Sequence, residues 1–182
     1  MRVMALVLMV LAVGCKKDEP DFIVPMPGEV RTNRAPKAVP LIYPDRAQPR
    51  LPTIKFFLGD VDLEVEQALT PVQIQMGMMF RKSMGEMEGM VFVHPDVKER
   101  HYWMKNVSVP LSIAYISPEG RIMETHDMTP FEERTVSSVS KNIQYALEVP
   151  QGWFRRNNVK PGTIVRTAKG TLRETYFPTP RK

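Results

Sequence analysis

Val61-Asp62-Leu63-Glu64-Val65-Glu66 places apolar and acidic residues in strict alternation. Successive side chains on a strand point to opposite faces, so this stretch presents one apolar face and one acidic face. The acidic row of Asp62, Glu64 and Glu66 reads as a solvated surface rather than a pair of working carboxylates. Thr53 to Leu58 precedes it, and Gly59-Asp60 joins the two as a tight hairpin. The same grammar repeats downstream. Gly89 to Val93 and His101 to Met104 are short apolar runs. Leu111–Ile116 and Arg121–Asp127 flank the turn Pro118-Glu119-Gly120. Tyr145 to Val149 alternates, and Thr163–Ala168 and Thr171–Phe177 flank Lys169-Gly170. Short strands separated by frequent turns predict a mainly β domain, a compact barrel or sandwich. One short α-helix interrupts them. Thr70-Pro71-Val72-Gln73 is a capping box with proline at the first helical position, and Gly77 suits a left-handed stop.

This domain spans residues 53–177, followed by a short tail over 178–182. Ahead of it, Lys16 to Pro52 holds eight of the 17 prolines, few aromatics and no periodicity. Such a composition buries too little apolar surface to offset its ordering entropy, and it reads as an extended spacer. The chain opens with Met1-Arg2 and an apolar run from Val3 to Val13. That run is too short for a bilayer span but suits the core of a signal peptide. It ends in Leu11-Ala12-Val13-Gly14-Cys15, which resembles the lipobox of bacterial lipoproteins. Cys15 is the only cysteine. The resemblance implies removal of residues 1–14 and acylation of Cys15, which ties the protein to a membrane. Lys16, rather than aspartate, follows the cysteine, so the expected location is the bacterial cell envelope, at the outer membrane and facing the periplasm. Lysines and arginines are dispersed despite the net charge of +5. No basic stripe with interleaved aromatics appears, which argues against a nucleic-acid partner.

Gly77-Met78-Met79-Phe80-Arg81, Gly89-Met90-Val91-Phe92-Val93, Trp103-Met104-Lys105-Asn106 and Pro110-Leu111 follow one another in order. They resemble the pattern GLMxR…GMLFxF…WMKNTxxPLD of the domain-of-unknown-function-192 family. Gly120-Arg121-Ile122, Leu147-Glu148-Val149 and Val159-Lys160-Pro161-Gly162 extend the match to roughly residues 60–167. The resemblance implies a compact β-rich domain with a short helix and no established activity. Val107 stands where the pattern has threonine, and Ser112 where it has aspartate.

The candidate ligand-binding residues are Arg81, Trp103, Lys105, Asn106 and Glu148. Read as a strand, Trp103 to Asn106 puts an aromatic plane and an ammonium on one face. With the amide of Asn106, these groups suit a polar ligand. The competing structural reading makes Trp103 and Met104 core, pairs Lys105 with Glu148, and gives Asn106 a turn. Arg81 is an anion anchor or the partner of Glu148. A carboxylate in the middle of a strand either faces water or is paired. No cofactor signature and no complete catalytic constellation is present: there is no G-x-S-x-G, no H-E-x-x-H and no usable thiol. The favoured reading is a non-enzymatic envelope lipoprotein that binds a small molecule or a protein. One alternative is an enzyme with Arg81, Lys105 and Glu148 converging in a polar cleft. Another is a Cu(I) binder built from Met76, Met78, Met79, Met84, Met87 and Met90 with His94 and His101. For those methionines the plainer role is to fill core.

Overall fold

The computed structural model describes residues 45–179. The apolar N-terminal run, Cys15 and the spacer up to residue 44 lie outside the described residues, as do residues 180–182. The strands β1 (Thr53–Leu58) and β2 (Val61–Ala68) form the expected hairpin, with Phe56 opposite Leu63 and Leu58 opposite Val61. Next come α1 (Pro71–Met76), β3 (Glu88–Lys98), β4 (His101–Tyr102), β5 (Leu111–Ile116), β6 (Ile122–Met128), β7 (Val136–Ser137) and β8 (Ile143–Pro150). The chain finishes with α2 (Trp153–Arg156), β9 (Val165–Thr167), β10 (Gly170–Thr171) and α3 (Leu172–Tyr176). Eight strands make one sheet in the order β10-β9-β1-β2-β3-β8-β5-β6, and β4 and β7 form a separate ribbon. Every pairing is antiparallel except β2 with β3. A parallel pair needs a crossover, and α1 with the loop after it supplies one.

The fold is mainly β, as the alternation predicts, but the sheet does not close into a barrel. Arg121 bridges Ile164, and the Ile122 N–H donates to the Thr163 carbonyl at 2.9 Å, so the two ends of the sheet touch at one corner. The ladder stops there because Lys160 to Thr163 is a turn, closed by the Thr163 N–H on the Lys160 carbonyl. There are three short helices among the described residues rather than one. The strand expected over Thr171 to Phe177 stops at Thr171, the second residue of β10, and Leu172 to Tyr176 is helix. Thr171 Oγ1 accepts the Glu174 N–H and Glu174 Oε2 accepts the Thr171 N–H, a capping box that starts α3.

The helix α1 forms as its sequence predicts. Thr70 Oγ1 accepts from the Gln73 N–H at 3.3 Å, and Gln73 Oε1 accepts from the Thr70 N–H at 3.0 Å. Its stop differs from expectation. Gly77 has φ +43° and ψ −127°, outside the left-handed helical well, and a Cβ there would meet the Phe92 ring at 3.3 Å. A side chain here would strain the backbone and crowd the Phe92 ring.

The central strands bury both faces, which explains their nearly continuous apolar runs. On one face Val91, Val93, Leu147 and Val149 pack with Trp153 of α2 and Leu172 of α3. On the other, Met90, Phe92, Ile113, Tyr115 and Ala146 pack with Met78, Met79 and Met104. A Cβ at Gly89 would lie 3.0 Å from the Glu148 carbonyl oxygen, 3.1 Å from Leu63 and 3.3 Å from Leu147. Glycine at this position therefore lets β3 seat tightly against β8 and fixes where Glu148 stands. The segment ahead of β1 is also part of the domain. Gln48 is buried and its amide donates to the carbonyls of Gln73 and Gly77, at 3.2 and 2.9 Å.

Candidate functional site

Alternation on β3 puts Met90, Phe92 and His94 on the face that α1 covers. Glu148 of β8 lies directly opposite Met90 on one side and Ile113 on the other, at the centre of the sheet. The residues after α1 and the segment from Lys98 to Val107 roof this face incompletely. A cavity of about 310 Å³ remains, with Phe92, His94, Arg100, Tyr102, Trp103 and Glu148 in its wall.

Glu148 is only 4 % exposed, and no described residue donates a hydrogen bond to it. Burial alone pushes its carboxyl up to about 8, because a lone charge is poorly tolerated away from water. The group is therefore mainly protonated at neutral pH. His94 is the converse case: burial first, then the nearby Arg100 and Lys98, push its imidazole down to about 4. His94 Nε2 and the Tyr102 hydroxyl share a hydrogen bond of 2.9 Å. The Tyr102 ring lies edge-on to Phe92, with centroids 5.0 Å apart, and 6.0 Å from Tyr115. Burial, then the neighbouring Glu148, holds the Tyr102 hydroxyl well above its usual range. Arg100 is also buried. One of its terminal nitrogens donates to the Asp96 carbonyl and, at 2.8 Å, to Asp96 Oδ1, while its Nε has no partner.

Of the residues singled out from sequence, Trp103 and Glu148 line this cavity, and Arg81, Lys105 and Asn106 do not. The polar cleft expected from Arg81, Lys105 and Glu148 is therefore absent. Arg81 grips Glu66 through both terminal nitrogens, at 3.3 and 2.9 Å, and not Glu148. Glu66 is thus buried and paired, which corrects its reading as part of a wet face; Asp62 and Glu64 are exposed. The Leu51 N–H donates to Glu66 Oε2 at 2.7 Å and Arg81 donates to the Pro49 carbonyl at 3.1 Å, so the same pair pins residues 49–51. Lys105 lies 5.2 Å from the Trp103 ring centroid and pairs with Glu133 at 3.5 Å, rather than with Glu148. Trp103 to Asn106 is a turn and not a strand, because Asn106 takes φ +57°. Its carbonyl accepts the Phe80 N–H at 2.8 Å, so the asparagine holds the roof together through backbone. Trp103 remains 39 % exposed at the cavity mouth.

The two departures from the family pattern are both satisfied locally. Val107 is buried in the core with Met104. Ser112 Oγ donates to Asp127 and accepts the Gly152 N–H at 2.8 Å, so a carboxylate stands beside position 112 although none is on it. The methionines divide. Met76, Met78 and Met79 line the cavity with His94 and His101, whereas Met90 is sealed in core and Met87 is exposed. Among the described residues no cluster of three His, Cys, Asp or Glu side chains could hold a metal ion, and no helix is long and apolar enough to cross a membrane. Sequence reasoning missed Arg100 and Tyr102. No local signal marks either: Arg100 reaches the cavity from the short link between β3 and β4, and Tyr102 from β4.

The family model for DUF192, described as an uncharacterised ACR, matches residues 55–167. No curated protein matches the sequence. Among solved structures, the chain resembles one from Sinorhizobium meliloti 1021, described as a candidate transcription regulator. The two are 30% identical with a TM-score of 0.63, over 67% of this chain and 98% of that one. It also resembles a protein of unknown function from Novosphingobium aromaticivorans DSM 12444, at 25% identity and a TM-score of 0.60, over 76% of this chain and 99% of the other.

Proposed function

We propose that this chain, which belongs to the uncharacterised DUF192 family, is a lipid-anchored envelope protein whose β-domain binds a small polar ligand in the cavity over Glu148. One observation carries the reading. A carboxyl group with no donor stands in the wall of an open cavity, among aromatic and thioether side chains and a polar group of His94, Lys98, Glu99, Arg100 and His101. Buried polar groups are almost always hydrogen-bonded, and one left open marks a place where a ligand group fits. The missing convergence of Arg81 and Lys105 on Glu148 favours binding over an enzyme of the kind they would build.

The ligand site is tested on the full-length chain in detergent, by melting temperature against a panel of polar metabolites and Cu(I). A ligand present at ~100 times its Kd adds about 2.7 kcal/mol to native stability. The expected result is stabilisation by a subset of metabolites that is lost in Glu148→Gln and weakened in Trp103→Ala. Hits indifferent to both substitutions, or stabilisation by Cu(I) alone, contradict the reading.

The anchor rests on Cys15 closing an apolar run at a lipobox-like sequence. Growth with an alkyne-bearing palmitate should label the protein, and Cys15→Ser should abolish both the label and the release of the N-terminal segment. Equal labelling of the serine variant contradicts the anchor.

A further inference from the structure

We infer that the ligand of this cavity is a small zwitterion, with a primary ammonium group against Glu148, an acidic group at Arg100 and a short apolar body between them. The inference rests on the binding role proposed above and goes beyond it in naming a ligand class. Two buried polar atoms in the wall of this one cavity lack partners, and their needs are opposite. Glu148 Oε2 has no donor and Arg100 Nε has no acceptor. Arg81, Tyr145, Trp153 and Tyr176 also carry an unpartnered buried atom, but among these residues only Glu148 and Arg100, of opposite charge, line this cavity, and together they suit the two ends of one ligand.

Their placement along the sheet sets the spacing. Glu148 pairs with Met90, and His94 stands four residues further along the same face of β3. At ~3.3 Å per residue that is roughly 13 Å of strand. Arg100 lies at the His94 end, where it helps to hold that imidazole neutral. Tyr102 lines the same cavity, with its hydroxyl bonded to His94 at 2.9 Å. The test therefore runs through a series of chain lengths. The cavity volume of about 310 Å³ is at the small end for ligand sites.

An ammonium fits the Glu148 end better than a neutral acceptor does. Phe92 and Tyr102 bring aromatic rings to this wall, and such rings attract cations, as the Trp103 ring does Lys105. A bound ammonium also supplies the counter-charge that Glu148 lacks, so Glu148 ionises on binding and its proton passes to solvent. The other charged or titratable groups facing this space are His94, Lys98, Glu99, Arg100 and His101 in the cavity wall, with Tyr102 and, from β5, Tyr115. Lys98 and Arg100 are already partnered by Asp96.

The test is calorimetric titration of the full-length chain in detergent with β-alanine, γ-aminobutyrate, δ-aminovalerate and ε-aminocaproate. Pentylamine and valerate serve as single-ended controls. One chain length should bind at least about tenfold more tightly than either control. Its binding at about pH 7 should release close to one proton, read from the dependence of heat on buffer. Glu148→Gln should lose both the affinity and the proton release. If no amino acid of the series binds while other metabolites still bind through Glu148, the class is wrong and the binding site stands. Binding that persists in Glu148→Gln and weakens above about pH 8 assigns an acceptor ligand and overturns the inference. Proton release that survives in Glu148→Gln moves the titration to another group and overturns it equally.

Discussion

Replacing Arg81 by methionine should destabilise the domain by about 3 kcal/mol or more, the usual cost of removing one partner of a buried ion pair. The methylene stem keeps its packing, so the loss isolates the charge. Glu66 would remain buried, with the Leu51 N–H and the more exposed Arg50 as its remaining partners. Those contacts reduce the cost and do not cancel it, because Arg81 supplies the two-pronged contact. The effect should also be directional. Arg81 and Glu66 together hold residues 49–51, so the variant should expose the peptide bond after Arg50 to trypsin well before the domain unfolds. Urea unfolding gives the magnitude, and time-resolved digestion gives the location. An unchanged midpoint together with unchanged protection at Arg50 would mean that the pair is ornamental.

Glu148→Gln should do the opposite and stabilise the protein. The folded carboxyl titrates at about 8 and the unfolded one near 4.5. Between those values the folded chain holds a proton that the unfolded chain has lost. Stability therefore falls as pH rises through this window, by ~1.4 kcal/mol per pH unit, and about 3 kcal/mol has gone at neutral pH. Below the window both states are protonated and the penalty vanishes. Glutamine matches the protonated acid in shape and is equally unpartnered, so the comparison reads the cost of the charge alone. The expected result is a variant that melts higher than the parent at pH 7 and equally near about pH 4, with no steep decline between. Chemical denaturation across that range measures it. On the binding role proposed for Glu148, the site costs this fold stability, which is common where a site waits for its ligand.

Local chemistry made much of this architecture legible. The hairpin of β1 and β2 follows from alternation and Gly59-Asp60, α1 from a capping box, and β5 from its flanking turns. The misreadings arise where a second signal or a distant neighbour decides. Lys169-Gly170 does make the expected hairpin turn, pairing β10 with β9, but Thr171-x-x-Glu174 carries a capping box that ends the strand after two residues and starts α3. Alternation places Glu66 on the outer face of β2 correctly, yet the residue is buried because Arg81 and Leu51 arrive over it from elsewhere in the chain. Glu148 was expected to be wet or paired, and it is neither. Its condition depends on β3 and β5 on either side and on a roof drawn from α1 and residues 98–107, none of which adjoins it in sequence. Arg100 and Tyr102 acquire their roles the same way. The fold was written in local periodicity, whereas the site is a product of tertiary placement.

The proposed site depends on the ionisation of one carboxyl, and a side-chain NMR titration of Glu148 in the ligand-free full-length protein measures it directly. The carboxyl carbon should titrate at about 8 and shift to the ionised signal at neutral pH when a cationic ligand enters the cavity. Titration in the ordinary carboxylate range without ligand would mean that Glu148 already has a partner, and the site described here would not exist.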